Sequence, residues 1–291
     1  MTARSSEPDP VLVGVDGSQD STRAVRWAAE EAALRGTGLH IVHAWLWPML
    51  RVPLGGSPMA PSGAGLEALA ERVLADAAAT ARSVADLVVE STLAVGEPAT
   101  ELLRRAPGAQ LVVVGSRGLG GFTGLLLGST GIALSARSPR PVAIVRGTAS
   151  PNGPVVAGVD GSAHADMVLR CAFHEAALHR TKVLVVHSWT IGLEQAHLAA
   201  AGYEKAERLA RKHAEELVEK AISRVAAEFD QVIVSSRLGG SSAAADLVTA
   251  SEGARLLVVG SGGLGPLRGM LLGSTTHAVV HHAACPVLVQ R

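Results

Sequence analysis

The chain has 291 residues, with 26 Lys and Arg against 26 Asp and Glu and a formal net charge of zero at pH 7. That length suits two domains of about 100 to 150 residues better than one core, and the balanced charge supplies no long-range field to gather DNA, RNA or an anionic membrane surface. Apolar runs such as residues 111–114 are far short of the roughly 20 residues of a membrane helix, and residues 1–10 are polar without a secretory pattern.

Two cysteines, Cys171 and Cys285, suit a reducing compartment, so the cytoplasm is the expected location, with a single Cys171–Cys285 bridge left open. In chain order the first expected strand is Val11-Leu12-Val13-Gly14-Val15, followed by the turn Asp16-Gly17-Ser18. A helix comes next. Ala24, Val25, Ala28, Ala29 and Ala32 form its apolar stripe, Arg23, Arg26 and Glu30 lie off that stripe, and Gly36 is placed to end it. Ile41-Val42-His43-Ala44-Trp45 reads as the second strand. Residues 46–65, with Pro48, Pro53, Pro58 and Pro61, read as a long loop, which is either functional, as a lid over a ligand, or a surface excursion. Residues 111–114 are apolar without alternation, as a strand buried on both faces should be. Residues 142–145 form the last strand of this half, and residues 147–154, rich in Gly, Pro, Ser and Asn, read as a linker.

The chain then repeats itself. Val155-Val156-Ala157-Gly158-Val159-Asp160-Gly161-Ser162 restates the opening strand and turn, and Val185-Val186-His187-Ser188-Trp189 the second strand. Leu256-Leu257-Val258-Val259-Gly260-Ser261 and Pro286-Val287-Leu288-Val289 match the later ones. A repeat of this length is a duplicated fold. Strands alternating with helical segments make each copy an α/β domain of the pattern β-α-β-α-β-α-β-α-β, with a parallel sheet covered by helices. The expected domains are residues 9–147 and 154–291.

The chemistry lies after the fourth strand of each copy. Gly115-Ser116-Arg117-Gly118 is followed by nine residues and then Gly128-Ser129-Thr130; Gly260-Ser261-Gly262-Gly263 is followed by nine and then Gly273-Ser274-Thr275. Glycines let backbone approach a polyphosphate and adopt positive φ, and the helix opened by Gly128 or Gly273 supplies free N–H groups and a favourable dipole. A Cβ at Gly115 or Gly260 is expected to stand in the phosphate path. The same glycines after a buried strand also serve plain tight turns, but the full spacing occurs twice, each time between strand and helix.

This pattern of Gly, two residues, Gly, nine residues and Gly-Ser resembles the nucleotide-binding motif of the universal stress protein family, ATP-binding branch, and the likeness runs over nearly the whole chain. The resemblance implies two tandem doubly wound, five-stranded parallel-sheet domains. These would be Rossmann-like and similar to adenine nucleotide α-hydrolase domains, with strand order 3-2-1-4-5 and ligand at the carboxyl ends of the strands. It implies one ATP per domain, with Mg²⁺ near Asp16 and Asp160. Val15 and Val159 would flank the base, and the backbone of Ala44 and Ser188 would read its edge. Gly115, Gly118, Gly128, Ser129 and Thr130 would cradle ribose and phosphates, as would Gly260, Gly263, Gly273, Ser274 and Thr275. Arg117 corresponds to Gly262 in the other copy, so the first site has an extra cation and unequal affinities are expected. The implied function is a nucleotide-dependent stress-response regulator with an unidentified protein partner. Pairing of the two copies through their last strands and a homodimer are also implied.

Other readings of these residues stand beside that one. Asp16 and Asp160 also suit a turn or helix cap, and His43 and His187 suit either a satisfied strand-end imidazole or the site. Trp45 and Trp189 are expected to pack where the strand leaves the sheet. His277 and His281 share a helix face, near His282 and Cys285. Ala278 stands where a zinc-protease motif needs Glu, so solvated or helix-end histidines are expected there and no resident metal. The alternative function is a slow ATPase or adenylyl-transferring enzyme of the same superfold. No Gly-Lys-Ser/Thr occurs, and neither a His-x-Gly-His nor a Ser-Gly-Gly-x-Asp-Ser signature is present.

Overall fold

The computed structural model describes residues 8–45, 63–118, 128–162, 164–189, 203–262 and 272–291. The chain divides into two compact units, Met1–Val145 and Arg146–Arg291. In the first unit the order is β1 (Val11–Val15), α1 (Gln19–Leu34), β2 (Leu39–Trp45), α2 (Gly63–Val84) and β3 (Val89–Val95). It continues with α3 (Pro98–Arg105), β4 (Leu111–Gly115), α4 (Ser129–Arg137) and β5 (Val142–Val145). The second unit runs β6 (Val155–Gly158), α5 (Ala165–Leu178), β7 (Val183–Ser188), α6 (Tyr203–Ala226) and β8 (Val234–Gly239). Then come α7 (Ala243–Ser251), β9 (Leu256–Gly260), α8 (Ser274–His282) and β10 (Val287–Gln290). Among the described residues no helix is long and apolar enough to cross a membrane.

Strand order in the first unit is β3-β2-β1-β4-β5 and in the second β8-β7-β6-β9-β10, so each copy has the order 3-2-1-4-5. All these pairings are parallel, with registers such as Val11↔Leu39, Val11↔Leu111 and Val155↔Leu256. Chain direction reverses its walk across each sheet between the first and fourth strands, and the crevice of a doubly wound fold opens there. Val11, Leu12, Val13 and residues 111–114 are buried, as are Val155, Val156, Ala157 and Leu256 through Val259. The stripe of α1 lies against the sheet with Ala24, Val25, Ala28, Ala29 and Ala32 at 0% exposure. Alanine at these positions lets the helix sit close to the strands.

Helix α1 ends as expected. Gly36 has φ +61°, its N–H donates to Ala33 O at 3.1 Å, and Thr37 N–H donates to Ala32 O at 3.0 Å, which is a Schellman motif. The second unit builds the same motif at α5 without glycine. Arg180 carries φ +51°, with Arg180 N–H on Ala177 O and Thr181 N–H on Ala176 O. A left-handed conformation costs an L-residue roughly 1–2 kcal/mol, so Arg180→Gly should raise stability by ~1 kcal/mol, read as a shifted urea midpoint at unchanged slope. A midpoint that falls would show that the Arg180 side chain contributes more than its backbone costs.

The expected linker does not hang free. Thr148 N–H donates to Ala284 O at 2.9 Å and Ser150 N–H to Ala254 O at 3.0 Å. Thr181 Oγ1 donates to Gly153 O at 2.8 Å and Arg255 Nη1 to Pro151 O at 3.0 Å. Residues 148–153 are thus stitched to the second unit. Residues 46–62, which hold most of the expected long loop, lie outside the described residues, and the end of that stretch already belongs to α2.

Candidate functional site

In the first unit β1 ends at Val15, and Asp16 begins the turn into α1. Asp16 Oδ1 accepts the Ser18 N–H at 3.0 Å, and Ser18, the N-cap, accepts the Ser21 N–H at 3.1 Å. The turn reading of this aspartate therefore holds locally, and Asp160 does the same with Ser162 N–H at 2.9 Å. His43 on β2 donates from Nδ1 to Val15 O at 2.8 Å, and His187 repeats this to Val159 O at 2.9 Å. Each imidazole ties the end of the second strand to the end of the first and is satisfied there. Trp45 is half-buried where β2 ends, with its carbonyl accepting the Gly96 N–H at 3.1 Å.

From the end of β4 the chain passes through Ser116, Arg117 and Gly118. The Gly128 N–H donates back to Ser116 O at 2.8 Å, which sets the start of α4 beside the end of β4. Gly128, at φ −74° and ψ 150°, is the N-cap of α4, and with no side chain it leaves the first-turn amides uncapped. Ser18 and Glu97, by contrast, cap α1 and α3 with their own oxygens. An uncapped N-terminus facing a cavity is an anion-binding arrangement.

These segments enclose a cavity of about 350 Å³. All nine first-copy residues singled out from the sequence line it: Val15, Asp16, Ala44, Gly115, Arg117, Gly118, Gly128, Ser129 and Thr130. The sequence reading missed Gly14, Ser21, Val42, Pro98, Leu102, Val114 and Gly131, which also line it. Pro98 and Leu102 come from α3, and only their spacing on one helix face hinted at a shared direction. The wall is mainly apolar near Val42, Leu102 and Val114 and polar near Asp16 and the start of α4.

The glycines act differently from expectation. The positive φ expected of the loop is absent at Gly115, Gly118, Gly128, Gly260 and Gly273. A Cβ on Gly115 would not meet ligand space first. It would lie 2.7 Å from the carbonyl carbon and 2.8 Å from the carbonyl oxygen of Asp20, so this glycine admits the backbone of α1. A Cβ on Gly118 would strike Asp16 Oδ2. Among the described residues, a Cβ on Gly128 would have nothing nearer than 3.9 Å.

Arg117 is not a lone cation. Its Nε donates to Asp20 Oδ2 at 3.2 Å, the same oxygen accepts Ser116 Oγ at 2.8 Å, and Arg23 pairs with the other oxygen. Burial alone would raise the Asp20 carboxyl, but the hydrogen bonds from Ser116, Arg23 and Arg117 outweigh it and hold the group below its ordinary value. Sequence reading missed Asp20, an acid in the first turn of a helix that looks like an ordinary partner of the helix dipole.

In the second unit, Val159 and Asp160 end β6 and Ser188 ends β7. Gly260 closes β9, the Gly273 N–H donates to Ser261 O at 2.8 Å, and Gly273 begins α8 without a side-chain cap, ahead of Ser274 and Thr275. Gly263 lies outside the described residues. Where the first unit has Gly131 on the cavity wall, the second has Thr276, whose hydroxyl donates to Gly260 O at 2.5 Å. The Cβ position of Gly260 is 3.4 Å from Gly262 O and 3.5 Å from Val168 Cγ2, ordinary contact distances.

The histidine rings of α8 lie beside one another at tilted angles. The His277 and His281 rings are 4.5 Å apart and those of His281 and His282 6.3 Å apart. Burial, followed by the neighbouring His277, His282 and Arg146, lowers the pKa of His281. Burial pushes the Cys285 thiol up to about 12, so it stays protonated at neutral pH. Neither cysteine is in a disulfide, which removes the bridge left open above.

The profile of the universal stress protein family matches residues 8–146 and 151–291. A universal stress protein of Mycobacterium tuberculosis is 32% identical, aligned over 97% of this chain and 96% of its own length, and one of Mycolicibacterium smegmatis shows the same figures. The crystal structure of a universal stress protein from Archaeoglobus fulgidus superposes with a TM-score of 0.69 at 20% identity, covering 97% of this chain and 98% of that one, a likeness of fold. With two matched copies and relatives aligned end to end, the chain belongs to the universal stress protein family.

Proposed function

We propose that each unit binds one adenine nucleotide, ATP, and that the chain works as a nucleotide-dependent regulator rather than as a metabolic enzyme. The observation that carries this reading is the convergence, in the first unit, of four separate segments on one cavity. The ends of β1 and β2, the loop after β4 and the uncapped start of α4 all line it. Its volume of about 350 Å³ falls within the ordinary range of small-molecule sites. An apolar wall of Val42, Leu102 and Val114 suits a base, and the α4 amides with Ser129 and Thr130 suit phosphate.

Of the acids, Asp16 alone is on this wall among the described residues. One carboxylate suits Mg²⁺ held chiefly by phosphate oxygens and water. Such an ion would neutralise phosphate charge beside Asp16. The second unit keeps Asp160, Gly260, Gly273, Ser274 and Thr275 in the same order and is read as the second site. A protein partner would then sense which nucleotide is bound, through the segments that surround it.

Native mass spectrometry of the intact chain with and without ATP tests the proposal. Two adenine nucleotides per chain are expected. None at millimolar ATP would overturn it.

A further inference from the structure

The two copies keep the same glycine spacing, but two residues beside it change together. The first unit has Asp20 in the first turn of α1 and Arg117 in the loop; at the corresponding positions the second has His164 and Gly262. The first pair is in contact across 97 residues of sequence. The Asp20 side chain is 7% exposed and that of Arg117 58%. The contact uses Nε of Arg117. Its terminal amino groups make no hydrogen bond among the described residues, although Arg117 lines the cavity.

The backbone is arranged to permit this contact. Gly115 lets the first turn of α1 approach until a Cβ would be 2.7 Å from the Asp20 backbone, whereas Gly260 faces no backbone atom of α5 within 4 Å. Close approach and ion pair occur in the same copy, and among the described residues the other shows neither. Ser116, itself buried, spends its hydroxyl on the same Asp20 oxygen, so the carboxylate holds two successive residues of the glycine loop.

We infer that Asp20 is a positioning residue. By gripping Arg117 through Nε, it keeps the guanidinium at the cavity wall with its terminal amino groups available to a nucleotide phosphate, and the first site thereby discriminates phosphorylated adenosine from adenosine. This rests on the nucleotide reading above. A guanidinium is a planar fork that holds phosphate through parallel hydrogen bonds, and one already fixed at Nε has less freedom to lose on binding. With Arg23 on the other Asp20 oxygen the cluster keeps one net positive charge, so the directed hydrogen bonds of Arg117 act together with a local attraction for phosphate. The second site, with His164 and Gly262, lacks the device.

The test is calorimetric titration of the full chain with AMP and, separately, with adenosine. Arg117→Gln and Asp20→Asn should each weaken AMP at one of the two sites by about tenfold, with adenosine unchanged. The double variant should bind AMP no more weakly than Arg117→Gln alone, because Asp20 acts only through Arg117. Unchanged AMP affinity in Arg117→Gln would overturn the inference, as would an Asp20→Asn chain weakened equally toward AMP and adenosine. Should Asp20→Asn not fold, Arg117→Gln, made at an exposed side chain, decides the matter. A wild-type chain that binds neither compound would remove the nucleotide reading itself. Adenosine and AMP bound as well by the variants as by wild type would remove only the role given to this pair.

Discussion

Alanine at Gly115 should cost ~3 kcal/mol of stability and weaken nucleotide binding with it, while alanine at Gly260 should change stability by no more than about 0.5 kcal/mol. The added Cβ at 115 would sit 2.7 Å from Asp20 C, 2.8 Å from Asp20 O and 3.0 Å from Ser21 N. These are backbone atoms in the first turn of a helix, and no rotamer change relieves them. Either α1 or the end of β4 must shift, and Ser116 and Arg117 shift too. At Gly260 the nearest atoms, at 3.4 and 3.5 Å, are at ordinary contact. Urea unfolding of the two single variants, compared at equal slope, measures the difference. Equal stabilities would mean that α1 does not lie against β4 as described.

A second large effect is expected at Leu102. This side chain is 2% exposed, its Cδ1 lies 2.7 Å from where a Cβ on Gly14 would be, and it also forms part of the cavity wall. Leu102→Ala should cost ~3 kcal/mol, near the lower part of the range for buried leucines, because the space it leaves joins an existing cavity that water can enter. Losing that apolar wall should also weaken adenosine by about tenfold. The corresponding Leu247, which lies over Gly158 in the second unit, is 4% exposed. Unfolding and adenosine titration of the Leu102→Ala chain check both parts. Wild-type adenosine affinity in a destabilised chain would place the base elsewhere.

Much of the architecture could be read from the sequence because its cause is local and repeated. Runs such as Leu111 to Val114, apolar without alternation, announce strands buried on both faces, and the repeat fixed where each copy starts. Strand order and the gathering of the first-copy residues came from the family likeness, and the fold bears out that order. What was not legible depends on pairs distant in the chain. Nothing near Asp20 announces Arg117 or Ser116, and nothing near Gly115 says that its missing side chain makes room for a helix rather than for phosphate. Arg180 was equally hidden, since arginine gives no sign of a left-handed backbone. The cation expected at Arg117 is there, but it arrives already paired, so the copies differ in geometry as well as in charge.

The hydrogen bonds of residues 148–153 bear on how the second copy should be excised for separate study. A fragment cut at the apparent end of the Gly-Pro-Ser stretch would strip partners from the carbonyls of Ala254 and Ala284 and from the hydroxyl of Thr181, three groups spread over the base of that unit. The segment that looks like a tether in the sequence is a hem sewn onto the second copy, and a cloning boundary there belongs ahead of Arg146, where the Arg146 guanidinium also reaches Val280 O at 2.5 Å.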